Sequence, residues 1–85
     1  MPLQFIGIDP DTGKNGSPTV WVDQETADIV LQSYIADDAT RIQCLQTPAP
    51  GHAPGIPDHE AVLRIPARLI SILREACNAA ERAQL

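Results

Sequence analysis

Residues 3–8 read LQFIGI, an alternation that sets Leu3 and Phe5 on one face and Gln4, Ile6 and Ile8 on the other. A period of two predicts a strand. Asp9-Pro10 ends the run, and Gly13 and Gly16 supply the backbone freedom of a turn, so residues 9–17 read as a turn or loop. After Pro18 comes TVWV, a second short strand. In it Trp21 faces away from Val20 and Val22, so it is either a core ring or an exposed contact anchor, according to which face is covered. The connection DQETAD leads to IVLQSYI at 29–35, with Ile29, Leu31 and Ile35 on one face and Val30 and Tyr34 opposite. Apolar residues on both faces predict a central or doubly covered strand.

Asp37-Asp38 interrupts the pattern, and TRIQCL alternates again, which predicts a further strand over residues 40–45. Residues 46–58 hold four of the eight prolines and two of the five glycines, an irregular loop in which neither helix nor paired central strand fits. EAVLRI resumes as a strand. Pro66 then opens a helix over Pro66–Glu81, proline being harmless in a first helical turn. Leu69, Ile70, Leu73, Ala76, Cys77 and Ala80 recur at three- and four-residue steps and form its apolar stripe, with Ile72 at the edge. These elements predict a single α+β domain over 1–85: an antiparallel or mixed sheet of 3–5 strands with one C-terminal helix packed on a face.

Composition adds little to the fold and something to the partners. Residues 1–63 carry nine acids against Lys14 and Arg41, whereas residues 64–85 carry four arginines against two acids, for a net charge of −5. An acidic body disfavours a phosphate backbone, so direct specific nucleic-acid binding is not expected. No apolar run is long enough for a membrane span or a leader peptide, and the expected setting is the cytoplasm, with Cys44 and Cys77 reduced. Cys77, on the apolar stripe, reads as a small buried hydrophobe.

Candidate chemistry centres on DPDTGKNG. Asp9, Asp11 and Asn15 are oxygen ligands on alternating positions, but a calcium loop beginning at Asp9 would want glycine where Lys14 stands and glutamate where Val20 stands. A phosphate loop would need an earlier glycine and a hydroxyl after Lys14. FIGIDP resembles the first-strand segment of the resolvase-like nucleases, which implies that Asp9 would bind a divalent metal; Asp11 stands where that family usually has glycine. This defines the alternative function, a metal-dependent hydrolase or nuclease-like fragment centred on Asp9 and Asp11. His52 and His59 have too few neighbouring ligands for a zinc site, and no cofactor is expected.

Two longer segments, SPTVWVDQETADIVLQSY and HEAVLRIPARLISILREA, together resemble small, uncharacterised actinobacterial proteins encoded beside helix-turn-helix regulators. The resemblance covers Phe5–Tyr34 and Glu60–Ala76. It implies a non-catalytic protein-interaction module, an accessory or modulator of a transcriptional regulator, and it transfers no catalytic residue. The expected partner is a protein such as that regulator, with a homodimer through the same surface as the other arrangement. The expected working surface combines Trp21 and Tyr34 with the exposed side of the terminal helix at Arg68, Ile72 and Arg74.

Overall fold

In the computed structural model, which describes residues 2–11 and 16–84, the chain forms α+β structure with two antiparallel sheets and a C-terminal helix packed on the larger one. Its contacts group it into two compact units, residues 1–33 with 65–85, and residues 34–64. The glycine and lysine of the calcium-loop and phosphate-loop readings, Gly13 and Lys14, lie outside the described residues, as does Asn15.

The first unit holds β1 (Leu3–Ile8), β2 (Thr19–Asp23) and β3 (Ile29–Gln32), paired in the order β1-β2-β3. Phe5 lies opposite Trp21, and Gly7 opposite Val20, so Ile6 is an extra residue in β1. This bulge changes the face assignment. Ile8, expected beside Gln4 and Ile6, pairs with Thr19 and joins the face of Phe5 and Trp21.

After Ile65, a single 3-10 turn (Ala67–Leu69) leads into α2 (Ile70–Gln84). Pro66 is extended and precedes the first helical residue, and its carbonyl accepts from the Leu69 N–H at 2.9 Å. Leu69, Ala76, Ala79 and Ala80 are buried against Val20 and Val22, with Ile6, Leu31, Ile65, Ile72 and Leu73 packed around them. The stripe is thus Leu69, Ile72, Leu73, Ala76, Ala79 and Ala80, rotated slightly from the expected one. Ile70 and Cys77 fall outside it and are exposed. Alanines at three core positions let the helix axis lie close to the sheet. That closeness is why Gly7 has no side chain: a Cβ there would stand 2.8 Å from Ile72 Cγ2.

The second unit holds β4 (Tyr34–Ile35), α1 (Asp38–Gln46) and β5 (Leu63–Arg64). The run at 29–35 is not one strand: it divides at Ser33, and β4 pairs with β5 in a separate two-stranded sheet. The predicted strand over residues 40–45 is instead α1. Asp37 caps it, its Oδ1 accepting from the Thr40 N–H at 2.9 Å, and Asp38 adds a favourable charge in the first turn. Thr47 ends it, its N–H and hydroxyl both donating to the Gln43 carbonyl, and Pro48 follows. No residue of α1 is buried, so local capping rather than an apolar stripe defines this helix. Arg64 in β5 donates to Thr40 Oγ1 at 2.7 Å and ties the strand to the helix.

Candidate functional site

Two regions of the first unit carry the candidate residues: the end of the sheet around Asp9, and the sheet face that α2 leaves uncovered.

At the sheet end, Asp9 follows β1 directly, its N–H donating to the Pro18 carbonyl at 2.9 Å. The Ser17 carbonyl accepts from Thr19 Oγ1 and from Gln32 Nε2, which joins β2 to β3 at the same end. The Asp9 side chain is fully buried and meets the Arg68 guanidinium in a fork, Nε to Oδ1 at 2.8 Å and Nη2 to Oδ2 at 2.6 Å. Oδ1 also accepts from the Asp11 N–H at 3.0 Å. The hydrogen bonds from Arg68 hold the Asp9 carboxyl below the ordinary carboxylate value, more than offsetting the opposing effect of burial, with the Asp11 N–H acting in the same direction as Arg68. Asp11 is exposed, with Oδ2 at 3.8 Å from Arg68 Nε. Both oxygens of Asp9 therefore serve a clamp between the first strand and the start of the terminal helix. Among the described residues no group of three or more His, Cys, Asp or Glu side chains is placed to hold a metal ion.

On the uncovered face, pairing sets Phe5, Trp21 and Val30 directly opposite one another across the three strands. Leu3 and Ile8 flank this row on β1. Phe5 is 58% exposed, Ile8 47%, Leu3 38% and Val30 37%, and Trp21 is half-buried among them. Val20 and Val22 pack against the helix, so Trp21 lies on the face that α2 leaves uncovered, where it is half-buried.

The β2–β3 turn borders this face at one end. Asp23 Oδ1 accepts from the N–H groups of Glu25 and Thr26, Thr26 Oγ1 accepts from the Asp28 N–H, and Ala27 takes a positive φ of 65°. The carboxylates of Glu25 and Asp28 are left exposed.

The residues expected to share one surface are distributed over both units. Ile72 packs against Gly7 beneath the sheet, on the side opposite Trp21. Arg68 is bound to Asp9, and Arg74 is exposed on α2. Tyr34 is 48% exposed but belongs to β4 in the other unit, where it pairs with Arg64. Trp21 instead has Phe5 and Val30 as neighbours, which alternation along each strand could have revealed, and Ile8, which the bulge concealed.

In the second unit, a cavity of about 350 Å³ is lined by Cys44, Pro48, His52, Ile56, Glu60 and Val62 among others. The proline-rich loop thus has a concave inner side. His59 lies beside Glu60 at 4.0 Å, both exposed. Cys44 and Cys77 are both free thiols, and Cys77 is exposed rather than buried because it lies outside the helix stripe. No helix among the described residues is long and apolar enough to cross a membrane.

Compared with family models, curated proteins and solved structures, the chain gives no match.

Proposed function

We propose that this chain is a non-catalytic protein-interaction module, an accessory or modulator of a transcriptional regulator, that works through the outer face of its three-stranded sheet. The observation that carries the reading is the row Phe5, Trp21 and Val30, aligned across all three strands and open to solvent while α2 covers only the opposite face. Large rigid rings contribute heavily to contacts, and Trp21 stands at the centre of this row, half-buried. The regulator as partner is supported by the two segments that resemble proteins encoded beside helix-turn-helix regulators. A cytoplasmic setting, with both thiols reduced, belongs to the same reading. The Asp9–Arg68 fork supports a clamping role for Asp9 in place of a metal-dependent hydrolase centre.

The test is affinity capture from native extract with the wild-type chain and with Phe5→Ser and Val30→Thr variants. A protein held by wild type and lost by both folded variants is the expected result. A partner retained equally by all three would remove this face from the function.

A further inference from the structure

We propose that the outer face of the β1–β2–β3 sheet seats one basic amphipathic helix of about three turns, contributed by the partner. The inference rests on the interaction-module reading and names its occupant.

The size of the face sets the size of the guest. Strands about 4.8 Å apart, with five residues of β2 rising about 3.4 Å each, give a footprint roughly 14 Å wide and 17 Å long. That projected area, about 240 Å², is the size of one helix's contact stripe. A helix about 10 Å across fits the width, and about eleven residues rise 17 Å. The protein already contains such a contact: on the opposite face, the stripe from Leu69 to Ala80 lies over the same sheet.

Charge sets the sign of the guest. Residues 16–33 contain Asp23, Glu25 and Asp28 and no lysine or arginine, and all three acids sit in or beside the β2–β3 turn at one end of the face. At the other end the Arg68 charge is met by Asp9 and Asp11. A helix with leucines spaced at three and four residues can lay them over Phe5, Trp21 and Val30, and lysines or arginines beside that stripe gain attraction from the turn. An acidic helix of the same shape meets repulsion there.

The test titrates the full chain with two synthetic helices that share one leucine stripe, their other positions filled with lysine in one and glutamate in the other. Trp21, the only tryptophan, reports contact through its emission. The lysine peptide is expected to shift the emission to the blue and to bind at least about tenfold tighter than the glutamate peptide at low salt, the advantage fading near 1 M salt, where the screening length is about 3 Å. Phe5→Ser should lose binding of the lysine peptide, and a Glu25→Gln/Asp28→Asn variant should bring the two affinities together. Equal affinity for both peptides overturns the assignment of a basic guest. Sedimentation showing a dimer that Phe5→Ser dissolves overturns the helix in favour of a second copy, while the interaction reading survives. If neither peptide binds, the helix seat is overturned, and the native-extract capture above decides separately whether the face has any protein partner.

Discussion

Arg68 and Asp9, fifty-nine residues apart in sequence, meet as a two-pronged ion pair, 2.8 and 2.6 Å, that fixes the start of the terminal helix to the end of the first strand. The carboxylate is fully buried and the guanidinium is partly open to water. A buried charge is tolerated only with such a partner, so losing the partner is worse than never having had the pair.

This pair makes stability depend on acid. Because the Arg68 hydrogen bonds, joined by the Asp11 N–H, hold the native Asp9 pKa below the ordinary value, the folded state favours the charged form. Its contribution is complete above the unfolded pKa of about 3.9 and is lost as pH falls through the lower native pKa. Asp37, held low chiefly by Thr40, adds to the same trend. Thermal melts between neutral and strongly acidic pH should therefore show Tm falling below about pH 4, with a shallower fall for Asp9→Asn. Arg68→Met should lower Tm by several degrees at neutral pH. An unchanged melting profile for Arg68→Met would remove the clamp from the account.

At Gly7 the sheet lies close against Ile72 of the helix. Gly7→Ala would press a methyl against the Ile72 side chain at 2.8 Å, and is expected to destabilise by about 1–3 kcal/mol. Ile72→Ala alone should cost about 2 kcal/mol, the low end for a side chain only partly buried. The double variant should be more stable than the sum of the two losses, since the truncated side chain leaves space for the new methyl. Urea denaturation of the four proteins completes the cycle, and strict additivity would contradict the contact.

Ala27 stands in the β2–β3 turn with a φ of 65°, where a side chain is strained and glycine is not. Ala27→Gly relieves that strain while adding freedom to the unfolded chain, and the two effects oppose each other. The strain is the larger, so the variant should gain about 0.5–1 kcal/mol, read as a higher urea midpoint. A loss would mean that the positive φ costs less than an ordinary left-handed alanine.

Much of the fold was legible because local pattern and tertiary packing agree. The alternations of LQFIGI and TVWV, and the three- and four-residue steps after Pro66, each give the element found. The misreadings have separable causes. TRIQCL alternates like a strand, yet Asp37 offers its carboxylate to Thr40 as a helix cap, and Pro48 stops the chain soon after. Capping residues, not apolar spacing, carried that signal. IVLQSYI is apolar on both faces because its two parts belong to different sheets, not because one strand is covered twice. In the candidate site, Trp21 and Phe5 were visible from alternation, whereas the bulge at Ile6 moved Ile8 to their face without any mark in composition. The Asp9–Arg68 pairing spans most of the chain and no local pattern announces it.

The stripe correction has a chemical consequence. Cys77 lies outside the packed positions and Cys44 lies on a helix with no buried residue, so both thiols are open. Each chain should consume two equivalents of a thiol-disulfide reagent without denaturant, at rates close to those of the unfolded protein. A single fast equivalent, with the second released only on unfolding, would place one of the two thiols in the interior.

The outer face should be separable from the fold itself. Phe5 and Val30 are both more than a third exposed, and what they give the native state is mainly their cross-strand contacts with Trp21, worth about 0.2–1 kcal/mol per pair. Threonine keeps the β-branched shape of valine and suits a strand, so Val30→Thr should change stability by less than about 0.5 kcal/mol. Phe5→Thr loses a ring that is largely in water and should cost no more than about 1 kcal/mol. The Phe5→Thr/Val30→Thr protein is then expected to keep its circular dichroism and its cooperative melt, while its apolar face, and any binding that depends on it, is gone. A double variant that unfolds would make the Phe5, Trp21 and Val30 row part of the structural core, and the contact surface would have to lie elsewhere on the molecule.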